Sequence, residues 1–391
     1  MKIGIYGGTF NPPHAGHIKA AGDAVRALSL DKLLVIPTAT PPHKELPAGT
    51  ATAEQRLEMA QLAFGGVDKV EVCDIELTRG GRSYTVDTVK ALREYFPEDE
   101  LWLIMGGDMF FSLESWYKFD TLLSEVGFAV ADRADESEKL REYVERLRRE
   151  RAARVEFIPE RPVEVSSTEL RQRLENAEGR ELLSDEVYAY IIKNRLYGAK
   201  AQLDWLREEA VKLLAPKRVP HVLGCEQEAV RLAERWGEDV YSAAVAGILH
   251  DITKKCSANE QLLLCEKYGT VTDALELEAP KLLHSKTAAD MAWVEFGISP
   301  EVREAIRWHT TGKADMTMLE KIIYIADYME PNRDFEGVDE LRRLAYEDID
   351  RALQLGLRMS IEDMQARNIV PHPRSSGALE YIEDSLRQRG L

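Results

Sequence analysis

The sequence contains few cysteines and no long run of apolar residues. Four cysteines occur among the 391 residues, and no two of them show Cys-x-x-Cys spacing, so we expect reduced thiols in a cytoplasmic protein. No apolar segment approaches the roughly 18 residues that cross a bilayer. The chain enters a strand pattern at once, and we therefore expect no signal peptide. These absences exclude a disulfide scaffold and an integral membrane protein.

Positive charge is also scarce. The formal net charge is −17, with 51 lysines and arginines against 68 acidic residues, which argues against broad binding to nucleic acid or to anionic membranes. A chain of this composition that binds polyphosphates must use metal ions, helix N-termini or single well-placed cations. The two common phosphate-binding loops, GxxxxGK[ST] and GxGxxG after a strand, are missing as well.

What the sequence does contain is a short strand pattern followed by GGTFNPPHAGH at residues 7–17. Its two glycines permit a sharp turn with bare amide groups, and the apolar pattern after His17 has helical period. A strand, a glycine-rich turn and a helix N-terminus together favour phosphate, and His14 and His17 would point toward it. A simple turn with histidine caps is the alternative, but it does not explain the combination of Gly, Phe, Pro and paired His.

The later strands of the N-terminal half are also followed by polar residues. Strands are expected over residues 33–37, 70–77, 101–105, 127–131 and 155–159. Their alternation with helices predicts an α/β domain with a parallel, Rossmann-like sheet over residues 1–198, which binds ligands at the carboxyl ends of its strands. Helix capping and core packing could explain each motif singly. The motifs are PPHK (41–44), SYTVDT (83–88), GGDM (106–109), Trp116, Asp132-Arg133 and VSSTELR (165–171).

In this order, GGTFNPPHAGH, PPHK, SYTVDT, GGDM followed by Trp116, and VSSTELR resemble the motifs of bacterial nicotinate-nucleotide adenylyltransferases. These belong to the nucleotidylyltransferase superfamily, whose HxGH signature reads His14-Ala15-Gly16-His17 here. Asn11 departs from the pattern, because the family more often has Asp there. The resemblance implies that AMP passes from ATP to nicotinate mononucleotide, giving deamido-NAD and pyrophosphate in NAD biosynthesis. The alternative is adenylyl transfer to nicotinamide mononucleotide or phosphopantetheine on the same scaffold.

The resemblance also implies roles for single residues. His14 and His17 would bind the α- and β-phosphate oxygens, and Arg171 would hold the leaving pyrophosphate, with Mg²⁺ neutralising the remaining charge. Thr85 and Trp116 would form the pyridine pocket. The other implied nucleotide contacts are Gly7, Gly8, Thr9, Phe10, Lys44, Gly106, Asp108, Arg133, Ser166, Ser167 and Thr168.

Helical periodicity replaces the strands in residues 199–391, which predicts an all-α second domain. The most informative pair is His250-Asp251, which follows an apolar helix pattern over residues 240–249. A carboxylate buried there needs a cation or several hydrogen-bond donors. A buried histidine alone is as often a hydrogen-bonded core residue. The candidate metal ligands are His221, His250, Asp251, His284, His309 and Asp327.

This set resembles the ligands of HD metal hydrolases. HDITK (250–254), HTTG (309–312) and IADYMEPNRDFEGVDELR (325–342) resemble bacterial HD-type bis(5′-nucleosyl)-tetraphosphatases more closely. The resemblance implies symmetrical hydrolysis of diadenosine tetraphosphate to two ADP at a two-metal site, with Asp251 as a catalytic residue and Lys254 and Arg333 on the polyphosphate. The implied first-metal ligands are His221, His250, Asp251 and Asp327, and the second-metal ligands are His284, His309 and the bridging Asp251.

Imidazole and carboxylate ligands suit Fe, Mn, Co, Ni or Zn, and two iron ions are our expectation. A different nucleotide phosphodiesterase, or a nucleotide-sensing module without turnover, is the alternative for this half. The expected partners of the chain are ATP, nicotinate mononucleotide and diadenosine tetraphosphate. No nucleic-acid or membrane partner is expected, and the sequence leaves a homo-oligomer open.

Overall fold

The computed structural model describes residues 1–40, 49–132, 137–159 and 165–390. It divides into two compact units, Met1–Lys200 and Ala201–Leu391. The described strands all lie in the first unit, and the second unit is helical. The predicted fold class, a parallel α/β domain followed by an all-α domain, is confirmed.

The first unit is built on a six-stranded sheet in which all neighbouring strands are parallel, in the order β3-β2-β1-β4-β5-β6. Helices cover both faces, which explains why the central strands are almost continuously apolar and buried. The strand order reverses between β1 and β4, where such sheets leave a crevice at their carboxyl edge. The strands are β1 Lys2–Gly8, β2 Lys32–Pro37, β3 Val70–Val72, β4 Glu100–Gly106, β5 Gly127–Asp132 and β6 Val155–Pro159.

The helices of the first unit follow the strands as the sequence pattern predicts. Thr52, for example, starts α2 because its hydroxyl accepts a hydrogen bond from the Gln55 amide at 3.2 Å. The helices are α1 Ala15–Ala27, α2 Ala53–Phe64, α3 Ile75–Arg79, α4 Thr85–Tyr95, α5 Gly107–Phe111, α6 Phe119–Glu125, α7 Ser137–Arg151, α8 Ser167–Glu175 and α9 Asp185–Lys193, with 3₁₀ turns at Leu113–Ser115, Arg180–Leu182 and Leu196–Gly198.

The strand predicted over residues 70–77 is wrong in its second half. β3 is an edge strand that pairs only with β2, and the pairing ends at Val72. The short helix α3 follows, and it buries the Glu76 carboxylate, which accepts a hydrogen bond from Thr88 Oγ1 at 2.7 Å. The apolar residues of α3 therefore belong to a helix. An apolar pattern this short does not distinguish a strand from a helix.

The second unit packs its helices around α12, whose residues 243–249 are all buried. Gly247 permits close packing against α11, because a Cβ atom there would lie 2.7 Å from the Glu226 Cα. No helix among the residues that the structure describes is long and apolar enough to cross a bilayer. The helices are α10 Leu203–Leu213, α11 Val219–Trp236, α12 Val240–Leu249, α13 Ala258–Tyr268, α14 Ala274–Glu278, α15 Leu283–Glu295, α16 Pro300–Trp308, α17 Met318–Met329, α18 Val338–Glu347, α19 Ile349–Ala366 and α20 Pro373–Gln388, with 3₁₀ turns at Pro216–Arg218 and Pro280–Leu282.

Candidate active site and metal centre

A cavity of about 680 Å³ opens at the carboxyl ends of the parallel strands in the first unit. The β1–α1 loop, the start of α4, the end of β4 and the start of α8 line it. Thr168 and Arg171 lie beside the lining without forming it, and Lys44 and Arg133 lie outside the described residues. The predicted residues that line the cavity are Gly7, Gly8, Thr9, Phe10, His14, His17, Thr85, Gly106, Asp108, Trp116, Ser166 and Ser167.

The two histidines of the first loop pack against each other. His14 caps α1, and its backbone N–H donates to His17 Nδ1 at 3.2 Å, so the ring centroids lie 3.8 Å apart. Because Nδ1 of His17 accepts, a neutral ring carries its proton on Nε2. Burial lowers the pKa of His14 to about 4, and burial together with the neighbouring His14 lowers the pKa of His17 to about 3. In this geometry the rings are neutral at pH 7 and offer N–H donors.

The start of α8 is fastened to the same loop. Ser167 Oγ donates to the Pro12 carbonyl at 3.2 Å. The Arg171 guanidinium donates through Nη1 to the Asn11 carbonyl at 2.8 Å and through Nη2 to Thr168 Oγ1 at 3.2 Å. The first loop and the N-terminus of α8, which come from opposite ends of the unit's sequence, therefore face one cavity. The helices α1 and α8 both begin at this cavity, and the amide groups in the first turn of a helix favour an anion.

Two further residues hold this loop, and the sequence interpretation missed both. Arg56 is buried and donates to the carbonyls of Thr9 at 2.9 Å and Ala39 at 3.0 Å. The Tyr197 hydroxyl donates to Asn11 Oδ1 at 2.8 Å. Asn11, the departure from the family pattern, is therefore a buried acceptor in the loop. Arg56 lies in an ordinary helix pattern, so no local signal singled it out.

Aromatic side chains line the cavity near the start of α4. The rings of Tyr84 and Tyr117 lie 4.8 Å apart between centroids, and Trp116 Nε1 donates to Ser112 Oγ at 3.2 Å. Thr85 is the first residue of α4. Neither tyrosine was predicted as a contact, although each lies next to a residue that was, Thr85 or Trp116. Together these rings offer a stacking surface for a planar group.

In the second unit, the six candidate metal ligands form two adjoining clusters. In the first cluster, His221 Nε2 lies 3.3 Å from His250 Nε2 and 3.0 Å from Asp327 Oδ1. Asp251 Oδ2 lies 3.5 Å from His250 Nε2. His221 lies in α11 and Asp327 in α17, and His250 and Asp251 follow directly after α12. The packing of these three helices brings together residues more than 100 positions apart in the sequence.

The second cluster shares Asp251 with the first. His284 Nε2 and His309 Nε2 lie 3.2 Å apart, and Asp251 Oδ1 lies 3.3 Å from His284 Nε2 and 3.6 Å from His309 Nε2. Each carboxylate oxygen of Asp251 therefore faces one cluster. The bridging position that the resemblance implied for Asp251 is consistent with this arrangement.

The hydrogen bonds around the histidines fit divalent metal ions. Each Nδ1 atom bonds to an acceptor, which places the proton on Nδ1 and directs an Nε2 lone pair into the centre. Two facing lone pairs repel unless a cation lies between them, and Asp251 Oδ1 is buried without a hydrogen-bond partner among the described residues. The Nδ1 acceptors are Glu330 Oε1 for His221, the Gly247 carbonyl for His250, the Lys281 carbonyl for His284 and the Ile306 carbonyl for His309.

Three cationic side chains surround these clusters. Burial alone would raise the pKa of Asp251, but the neighbouring imidazoles hold it well below its ordinary value. Arg218, which the sequence interpretation missed, donates through Nε to Asp251 Oδ2 at 2.5 Å. Lys254 Nζ lies 2.8 Å from His284 Nε2, and Arg333 Nη2 lies 2.9 Å from Asp327 Oδ1. A cation therefore lies beside each cluster.

A third group with metal-ligating side chains lies elsewhere in the second unit. Asp273, Glu276 and His372 bring one ligand atom each within 4.8 Å of the others. However, Arg374 pairs with both carboxylates at 3.1 and 2.9 Å, and Lys286 pairs with Glu276 at 2.6 Å. The carboxylates are already neutralised, so this group fits a structural link between α14 and α20.

Two family models match the chain. Residues 5–173 match the cytidylyltransferase-like family, and residues 218–332 match the HD domain. The first match includes every residue predicted to line the nucleotide site, and the second includes all six candidate metal ligands. The chain thus consists of a nucleotidyltransferase-like unit followed by a helical HD domain.

Relatives of known name are similar to about half of the chain. Proteins of Listeria monocytogenes serotype 4a (strain HCC23) and Oceanobacillus iheyensis, both named probable nicotinate-nucleotide adenylyltransferase, are 37% and 39% identical over 199 and 198 residues. The alignments cover 51% and 50% of this chain and 98% and 97% of the relatives. A Clostridium acetobutylicum structure, titled predicted HD superfamily hydrolase involved in NAD metabolism, is 36% identical and covers 46% of this chain and 97% of its own, with a TM-score of 0.45.

Proposed function

This chain belongs, through its N-terminal unit, to the nicotinate-nucleotide adenylyltransferase family, and we propose that residues 1–198 transfer AMP from ATP to nicotinate mononucleotide, releasing pyrophosphate and forming deamido-NAD. The observation that carries the proposal is the convergence on one cavity of the His14–His17 loop, the N-terminus of α8 and the aromatic surface near Trp116. A nucleoside triphosphate and a planar pyridine nucleotide need these two kinds of surface side by side.

The proposed role of the first loop is to stabilise charge on the phosphates as the acceptor phosphate attacks the α-phosphorus. His14 and His17 donate from neutral rings, and the proximity of a phosphate would raise the pKa of both rings because it favours their charged forms. Ser166 and Ser167 add hydroxyl donors beside the α8 amides. Arg171 would stabilise the departing pyrophosphate while it keeps its contact with the loop. Mg²⁺ bound to the triphosphate would neutralise the remaining negative charge.

The proposed acceptor pocket is the aromatic surface, with Trp116 stacking on the pyridine ring and Thr85 as a hydrogen-bond partner. Lys44 and Arg133 remain predicted contacts outside the described residues. The test is a panel of acceptors incubated with ATP and the full-length chain. We expect the highest kcat/KM with nicotinate mononucleotide; an equal or higher value with nicotinamide mononucleotide or phosphopantetheine would contradict the assignment.

For residues 199–391 we propose a metal-dependent phosphohydrolase that cleaves diadenosine tetraphosphate symmetrically into two ADP. The supporting observation is the pair of ligand clusters that share Asp251, with Lys254 beside one and Arg333 beside the other. Such a row of positive charge suits a polyphosphate that extends over both metal positions. His221, His250, Asp251 and Asp327 would hold one ion.

His284 and His309, with Asp251, would hold the second ion. When bound, the two ions, for which we propose iron, would polarise a phosphate and make a water more acidic. Lys254 and Arg333 would orient the phosphates on either side of the scissile bond. The test is chromatography of the products from diadenosine tetraphosphate. ADP alone supports the proposal. AMP plus ATP contradicts symmetrical cleavage, and the absence of turnover favours a nucleotide-sensing module.

A further inference from the structure

The four histidines of the metal centre differ in the group that holds their Nδ1 atoms. His250, His284 and His309 each bond to a backbone carbonyl, at 2.6–2.8 Å. His221 instead bonds to a carboxylate, Glu330 Oε1, at 3.1 Å. The two metal positions are therefore supported unequally, because His221 belongs only to the first cluster.

Glu330 is a buried carboxylate, only 1% exposed, that follows directly after α17. Its second oxygen, Oε2, accepts hydrogen bonds from the backbone N–H and the Nδ2 of Asn332 at 2.7 and 2.8 Å. Asn332 Nδ2 also donates to the carbonyl of Pro220, the residue before His221, at 3.1 Å. The carboxylate that orients His221 is thus fixed at both oxygens.

Gly224 leaves the space for this carboxylate. It lies in α11, three residues after His221, where glycine is less stabilising than alanine. A Cβ atom at position 224 would overlap Glu330 Oε2 and lie 3.0 Å from Asn332 Nδ2. The helix therefore carries a glycine at the point where any side chain would displace Glu330.

A carboxylate on Nδ1–H makes the opposite nitrogen a stronger metal ligand than a carbonyl does, and it fixes the ring orientation. The first position has the Asp327 and Glu330 carboxylates in addition to the shared Asp251, and these two offset the charges of Arg218 and Arg333 beside it. The second position has the Lys254 ammonium 2.8 Å from His284 Nε2. On these grounds we propose that Glu330 is a positioning residue that makes the His221 position the tighter of the two metal sites. The inference rests on the proposed metal-dependent function.

The test is a Mn²⁺ titration of the metal-free, full-length chain by equilibrium dialysis. We expect two binding steps in the wild type, of which His309→Ala should remove the weaker. Glu330→Ala should raise the Kd of the tighter step about 10–100-fold, the usual effect of losing such a partner, and leave the weaker step unchanged. Glu330→Gln, which keeps an acceptor but not the charge, should lie between.

Gly224→Ala provides an independent perturbation, because it displaces Glu330 without removing a polar group. It should reproduce the Glu330→Ala titration, whereas Gly377→Ala, a helix position where a Cβ meets nothing, should bind as the wild type does. Equal weakening of both steps, no weakening of either, or a wild-type titration for Gly224→Ala would overturn the inference. A wild-type chain that binds no Mn²⁺ would refute the proposed metal-dependent function itself. If Glu330→Ala does not fold, Glu330→Gln and Gly224→Ala decide the question.

Discussion

Replacing Asp251 by alanine should disable both metal positions at once. Its two carboxylate oxygens face different clusters, Oδ2 toward His250 at 3.5 Å and Oδ1 toward His284 at 3.3 Å. The loss of a direct ligand from both positions should weaken metal binding by more than the roughly 10–100-fold that follows loss of a hydrogen-bonded supporting residue. We therefore expect no stoichiometric metal in the purified variant and no hydrolysis of diadenosine tetraphosphate.

The same substitution should destabilise the second unit even without metal. Asp251 is fully buried and pairs with Arg218, whose side chain is 25% exposed. Breaking a buried ion pair from one side costs about 3–5 kcal/mol, and the partial hydration of Arg218 favours the lower end. At about 2–4 °C per kcal/mol for a unit of this size, a loss of about 3 kcal/mol lowers the unfolding temperature by about 6–12 °C.

Calorimetry and metal analysis measure these two effects, and adenylyl transfer by the same preparation provides the internal control. Asp251→Asn preserves the side-chain volume, so its comparison with Asp251→Ala separates the lost charge from lost packing. Retention of two metal ions in Asp251→Ala would refute the bridging position. A parallel fall in deamido-NAD formation would refute the assignment of the two reactions to separate sites.

Three further predictions concern the first unit. In the folded unit the buried His14 and His17 rings have pKa values of about 4 and 3, whereas in the unfolded chain histidines bind protons below about pH 6.5. The stability of the folded unit should therefore be complete above about pH 6.5 and fall as the pH is lowered toward 4. His14→Gln/His17→Gln should flatten that fall in calorimetry, and an unchanged slope would contradict it. Tyr197→Phe leaves Asn11 Oδ1 without its buried donor and should cost about 1–3 kcal/mol in denaturant titrations; an unchanged stability would show that the bond is dispensable. Trp116→Ala should raise the KM for nicotinate mononucleotide about 5–150-fold, from roughly 1–3 kcal/mol of stacking, with the KM for ATP unchanged; equal rises would argue against an acceptor pocket.

Patterns of local sequence predicted the architecture well, because its determinants are local. The apolar strands that alternate with helices in the first half required a parallel sheet, and such a sheet gathers the residues that follow its strands at one edge. In the second half, His250-Asp251 after a small-residue helix indicated a buried charged centre. The resemblance to HD hydrolases predicted that His221, His284, His309 and Asp327 lie near this pair, and the structure places their ligand atoms in adjoining clusters with it.

The supporting residues could not be predicted, because their roles depend on contacts between distant segments. Arg56 bonds to carbonyls 17 and 47 residues away, and Glu330 bonds to a histidine 109 residues away. Arg218 lies in a short 3₁₀ turn whose sequence, Pro-Lys-Arg, is like that of an ordinary charged loop between helices. β3 ends at Val72 because its pairing with β2 ends there. The local sequence of β3 carries no information about that pairing.

One chromatographic measurement decides whether this chain carries two independent reactions. Wild type, His14→Ala and Asp251→Ala are each incubated with ATP, nicotinate mononucleotide and diadenosine tetraphosphate, and deamido-NAD and ADP are quantified together. We predict both products from the wild type, only ADP from His14→Ala and only deamido-NAD from Asp251→Ala. Loss of both products in either folded variant, or a wild type that forms neither, would contradict the account.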